Sequence, residues 1–241
     1  MTVASKENRA VTLPPGVSLA RVGQVLLEAW EGNPGNWGGA PSPLREGPTA
    51  KSPVPVLKDA MDLFRLLQDR RAEFLLVGGM AMLTYVQGRN TKNVDLLMAA
   101  ATLDAIPELQ VEDRNDFFAR AKFRSVQVYL LFTANPLFKI VLDRYATKHA
   151  FAELTVPLAT VEGMIALKLF ALPSLYRQMD LDRVAIYETD ITMLLARHSV
   201  VMEDLSPLVH QHVEAGDRNE LRKITAECCA RAQQMRQRAG Q

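Results

Sequence analysis

The 241-residue chain carries almost no excess charge, no cysteines spaced for a disulfide framework and no long apolar run. Each absence excludes something. With 28 basic and 27 acidic residues the net charge is +1, so no overall field draws the chain to nucleic acid or to an anionic membrane. Any such contact needs a local patch. The two cysteines, Cys228 and Cys229, are neighbours in sequence. They read as small apolar packing residues of a helix, in a protein of a reducing compartment. The most apolar stretches, residues 74–77 and 164–172, are far shorter than the roughly 20 residues that span a bilayer. Residues 1–13 lack the apolar centre of a signal peptide. The expectation is a soluble, cytoplasmic protein without a membrane partner. No internal repeat is present.

What the chain does have is core material. Hydrophobic residues make up 48% and charged residues 23%, enough to bury a sizeable interior. Three regions separate by composition. Residues 1–55 read as an arm: Leu19, Val22, Val25, Leu26 and Ala29 share a helical face behind Ser18 as N-cap, and a Gly- and Pro-rich linker follows over 32–55. This arm is either a loose tail or a segment that docks on a protein partner or a neighbouring subunit, since Leu26, Leu27, Trp30 and Trp37 are costly to leave in water.

Residues 56–159 alternate helical and strand patterns. Leu57, Ala60, Met61, Phe64 and Leu67 form one helix face. Strands are expected at 74–77, 94–98 and 125–132, with a short edge strand at 109–112, and helices at 81–86 and from Pro136 to Tyr145. Such alternation indicates an α/β or α+β sheet domain. Residues 160–241 read as helical. Thr160 caps a helix that Pro173 ends, and helices follow at 182–197, 203–213 and 217–238.

The chemistry concentrates around Val77-Gly78-Gly79-Met80-Ala81 and Gly88-Arg89-Asn90-Thr91-Lys92-Asn93-Val94-Asp95. A strand that runs into two glycines and then a helix leaves backbone N–H groups open. Glycine permits close approach of a phosphate, and the helix N-terminus favours its charge. Positions 93 and 95 lie two apart on a strand and point to one face. Acidic side chains there would grip Mg²⁺ above a nucleoside triphosphate, with Arg89 and Lys92 neutralising phosphate oxygens.

This run resembles the GG…GR.T.D.D signature of the abortive-infection-type and related bacterial nucleotidyltransferases. Downstream pieces resemble an uncharacterised bacterial branch of that superfamily: Leu130-Leu131-Phe132, Asn135-Pro136-Leu137-Phe138, residues 156–163, Leu167-Lys168-Leu169 and residues 171–178. The similarity covers about residues 56–200. It implies a mixed sheet flanked by helices, with a C-terminal helical region and an extended N-terminal arm. It also implies metal-assisted nucleotidyl transfer, in which three carboxylates hold Mg²⁺ ions against the triphosphate. Gly78 and Gly79 match the phosphate-loop glycines, and Arg89 and Thr91 match the segment before the acidic pair. Asp95 matches the second carboxylate. The first falls on Asn93 and the third on Tyr129. Asp95 alone would hold Mg²⁺ weakly, with the nucleotide supplying the remaining oxygens. The resemblance therefore implies a protein that keeps the fold, and a nucleotide pocket, without efficient transfer chemistry.

Substitute acids are Asp143, Asp113 and Asp116. Lys168 and Arg177 either reach nucleotide phosphates or serve the fold, Lys168 snorkelling at a helix edge and Arg177 pairing with Asp180 or Asp182. Asp190 reads as a salt-bridge or cap partner. His149, His198, His210 and His212 do not suggest a metal site. The basic residues of the last helix, Arg222, Lys223, Arg231, Arg236 and Arg238, form either a solvated face or an RNA contact.

Overall fold

The elements follow from burial periodicity. In the computed structural model, residues 53–86, 91, 93–151 and 153–240 are described. The first helix among the described residues, α1 (Pro53–Asp69), buries Ala60, Leu63, Phe64 and Leu67. Its apolar face is turned slightly from the expected one: Leu57 is 40% exposed and Leu63 takes its place inside. Then come β1 (Phe74–Val77), α2 (Gly78–Tyr85), β2 (Asn93–Met98), α3 (Ala100–Asp104), β3 (Gln110–Arg114), β4 (Phe118–Phe123), β5 (Val126–Phe132), α4 (Pro136–Arg144), β6 (Ala146–Phe151) and β7 (Leu154–Ala159). Four α-helices follow among the described residues: α5 (Val161–Arg177), α6 (Leu181–Arg197), α7 (Met202–His212) and α8 (Arg218–Ala239).

The seven strands form one mixed sheet in the order β3-β4-β5-β2-β1-β7-β6. β1 runs antiparallel to β2 and parallel to β7, and β2 runs parallel to β5. Alternation decides the two faces. Val126, Val128, Leu130 and Phe132 of β5 are buried, and Val94, Leu96 and Met98 of β2 lie level with Val128, Leu130 and Phe132. That face receives α1, where Phe64 stacks on Phe74 with ring centroids 6.3 Å apart. The other face carries Asn93, Asp95, Gln127, Tyr129 and Leu131. Near Leu131 it is covered by α4 and α5, through the ring chain Phe118–Phe138–Phe170, with successive centroids 5.6 Å apart.

The C-terminal helices pack on one another. Glu188 of α6 accepts from Tyr176 of α5 and from Arg231 of α8, and Cys228 is fully buried against α6. Both cysteines are free thiols. Among the described residues no helix is long and apolar enough to cross a membrane.

Several expectations need correction. α5 does not end at Pro173 but runs on to Arg177. A proline inside a helix costs about 3 kcal/mol, but Leu172 and Leu175 on either side are buried and hold the last turn in place. α2 begins at Gly78, three residues earlier than expected. Strands β4, β6 and β7 were not anticipated as strands. β4 hides only alanines and Phe123 while exposing Phe118, β6 is a mostly exposed edge, and β7 contains Pro157, which lacks a ladder donor. The helix expected at 18–30 and the linker lie outside the described residues.

Candidate functional site

The site is built where β1 hands over to α2. Four buried residues, Phe74 to Val77, drive the strand into the core. The chain then turns through Gly78, whose φ of 63° is left-handed. A side chain at Gly78 would place its Cβ 2.0 Å from Asp95 Oδ2 and 2.6 Å from Asp95 Cβ. At Gly79 a Cβ would lie 2.6 Å from Thr91 Oγ1. Gly78 is thus required by the close approach of Asp95 within β2, and Gly79 by that of Thr91 just before the strand. Thr91 in turn donates to the Asn93 carbonyl at 3.3 Å.

Strand register brings the key side chains together. Asp95 pairs with Val77 on one side and with Tyr129 on the other, and Asn93 pairs with Gln127. Register partners on neighbouring strands point to the same face about 4.8 Å apart. Asn93, Asp95, Gln127 and Tyr129 therefore share one face beside the paired glycines, all of them half-buried.

Asp95 is anchored there. Its Oδ2 accepts the Gly79 N–H at 3.2 Å. Burial pushes its carboxyl above the ordinary carboxylate value, while the Gly79 amide and the positive charges of Lys168 and Arg183 oppose that rise. The α2 N-terminus has no side-chain cap of its own, because Val77 precedes it.

Lys168 does not snorkel at a helix edge. It is buried in α5, with Nζ 2.8 Å from Asp190 Oδ2 and 4.3 Å from the centroid of the Tyr187 ring. Asp190 is a salt-bridge partner between α5 and α6. Arg177 lies exposed at the end of α5 and pairs with Asp217, not with Asp180 or Asp182. Asp180 instead caps α6, accepting the Arg183 N–H at 3.2 Å.

The substitute acids stand elsewhere. Asp143 is exposed on α4 and accepts from Lys139 at 2.6 Å. Asp113 is on β3, two strands away from β5, and Asp116 is exposed in the turn that follows. Two strand spacings put Asp113 about 10 Å from the Tyr129 strand. Among the described residues no three His, Cys, Asp or Glu side chains come together to hold a metal ion. A hard divalent cation wants anionic oxygens. One half-buried carboxylate, an amide and a phenol do not fit the three-carboxylate metal centre that the resemblance implies. Arg89 and Lys92 lie outside the described residues.

Two contributors escaped the sequence reading. Gln127 stands level with Asn93, and Arg183 adds its charge to the field at Asp95. The alternation of β5 pointed to Gln127, while Arg183 carries no local signal because it arrives from α6.

No family model and no curated protein matches the chain. Solved structures do resemble it. One is an antigenic nucleotidyltransferase-like protein from Paracoccidioides brasiliensis, 14% identical, covering 70% of this chain and 91% of that one, with a TM-score of 0.46. Another is ANT(2")-Ia in complex with adenylyl-2"-tobramycin, 13% identical, covering 65% and 97%, with a TM-score of 0.43. The solution structure of the antibiotic-resistance factor ANT(2'')-Ia is 14% identical, covering 72% and 95%, with a TM-score of 0.48. These are distant likenesses in the path of the chain.

Proposed function

We infer that this chain is a nucleotidyltransferase-fold protein without efficient transfer chemistry, which serves as a binding or assembly subunit in a reducing, cytoplasmic setting. One observation carries the reading. Of the three side chains at 93, 95 and 129 that share the sheet face beside Gly78 and Gly79, only Asp95 is an acid. A two-metal mechanism needs carboxylates to fix its ions and to activate the attacking hydroxyl. A neutral amide and a phenol supply neither. Mg²⁺ would enter only weakly, brought by the nucleotide and touched by Asp95. Beside the two glycines stands Thr91, and in sequence the cations Arg89 and Lys92 precede β2, residue types that suit phosphate. The N-terminal arm, with its apolar residues, is the segment assigned to a protein partner or a second copy.

The test is transfer itself. Purified full-length chain, labelled nucleoside triphosphates and Mg²⁺ or Mn²⁺ are incubated with RNA and with protein acceptors. The expected result is no label above background. Label that disappears in Asp95→Ala would establish the competing reading, an active enzyme with unusual metal ligation.

A further inference from the structure

Three buried polar side-chain atoms among the described residues lack a hydrogen-bond partner: Thr192 Oγ1, His210 Nε2 and Arg218 Nε. Each calls for a reason, because a buried polar group without a partner is costly. Thr192 Oγ1 lies against the Cys228 thiol. The other two belong to one corner, where α7 gives way to α8. His210 is in the last turn of α7, Arg218 is the first residue of α8, and Arg222 follows it one turn later on the same side. Burial first, and then the positive charges of Arg222 and Arg218, hold the His210 imidazole below its ordinary value.

The acids next in sequence are engaged elsewhere. Asp217 pairs with Arg177, and Glu220 pairs with Lys223 at 3.3 Å. Glu214 adds its charge to the field at Arg177. Arg222 donates to the Asn219 amide oxygen at 2.6 Å, a neutral acceptor that leaves its charge uncompensated. Arg218 and Arg222 form no ion pair among the described residues. A ring nitrogen and a guanidinium N–H are thus held inside the protein beside two positive charges. The partner that satisfies such a set carries negative charge on oxygen.

We propose that His210, Arg218 and Arg222 form a binding site for a small tetrahedral oxyanion of the phosphate class, whose oxygens accept from Arg218 Nε–H and from the imidazole Nε2–H. None of the three residues belongs to the elements that build the glycine turn, so the site stands whether or not that turn takes a nucleotide.

The full chain is titrated at neutral pH with inorganic phosphate, against sodium chloride at matched ionic strength, and the ring signals of its four histidines are followed by NMR. The His210 signals should move saturably with phosphate and not with chloride. A bound anion favours the protonated ring, so the pH midpoint of His210 should rise by about one pH unit. Arg218→Gln keeps a long polar side chain without the charge and should weaken phosphate binding by about tenfold or more. Circular dichroism reports whether it folds; if it does not, Arg222→Gln, at an exposed position, takes its place with the same expected loss. Lys223→Gln, at a neighbour already paired with Glu220, should bind phosphate like the wild type. Methyl phosphate distinguishes the source. Binding of phosphate alone supports a site for the free ion, and equal binding of methyl phosphate supports one that takes the end of a phosphoester. Small, non-saturating shifts shared by all the histidines mean an adventitious ion only and overturn the proposal. So does unchanged affinity in a folded Arg218→Gln or Arg222→Gln, or an equal loss in Lys223→Gln.

Discussion

Replacing Gly78 by alanine tests the geometry of the site through stability alone. Three costs meet there. The left-handed backbone at φ 63° penalises any Cβ by about 1–2 kcal/mol. The new methyl would sit 2.0 Å from Asp95 Oδ2, 2.4 Å from Cγ and 2.6 Å from Cβ. Rotation of Asp95 cannot relieve the last of these, because its Cβ is fixed to β2, and overpacking of this kind costs about 1–3 kcal/mol. If Asp95 swings away, the Gly79 N–H loses its acceptor, worth about 1–3 kcal/mol. The terms overlap, so Gly78→Ala should destabilise by roughly 3–5 kcal/mol, read from urea unfolding followed by circular dichroism with an unchanged m-value. The double variant Gly78→Ala with Asp95→Gly removes the three nearest clashing atoms. It should be more stable than the sum of the two single losses by at least about 1 kcal/mol. A Gly78→Ala protein within about 0.5 kcal/mol of wild type, or strictly additive losses, would refute the placement of Asp95 over the glycine.

Other expected outcomes follow from single contacts. Lys168→Met leaves Asp190 buried without its cation, which should cost about 3–5 kcal/mol, and adding Asp190→Leu should recover much of it; a small loss for Lys168→Met, or no recovery, contradicts the pairing. Thr160→Ala removes the acceptor of the Gly163 N–H at the start of α5 and should cost about 1 kcal/mol in the same unfolding assay. Asp59 is held below the ordinary carboxylate value, first by the Ser125 hydroxyl and then by the Ser125 amide and Arg124, against the opposing effect of burial. A depressed folded pKa contributes stability that is present above about pH 4 and is lost as pH falls through the folded value. Asp59→Asn should therefore flatten the acid limb of the stability–pH profile, and an unchanged slope would count against the contact.

The alternating β5 pattern, the apolar run 74–77 with its two glycines, and the i, i+3, i+4 spacing of α1 and α6 were readable because each is a local period of burial. So was the cap at Thr160, which needs only one hydroxyl three residues ahead of an amide. The corrections came where tertiary context outweighed local signals. Pro173 stays helical because buried neighbours hold its turn, and β7 accepts Pro157 between two partner strands. Lys168 reads from sequence as a long amphipathic side chain at a helix edge. Only the folding of α6 against α5 brings Asp190 and Tyr187 to it. At the site, the shared face of residues 93 and 95 was legible from strand period. The trans cap by Asp95 was not, since nothing local ties position 95 to the amide of Gly79.

The most direct test places acids at the two positions that the proposed function reads as former carboxylates. Asn93→Asp and Tyr129→Asp are introduced together, and Mn²⁺ binding is measured by electron paramagnetic resonance on the folded variant and on the wild-type chain. If the three positions converge beside the glycines, the wild type should bind no Mn²⁺ at millimolar concentration, whereas the double variant should bind it saturably, with the signal lost again on Asp95→Ala. Tight Mn²⁺ binding by the wild type, or a folded double variant that binds none, would contradict the proposed reading of positions 93, 95 and 129.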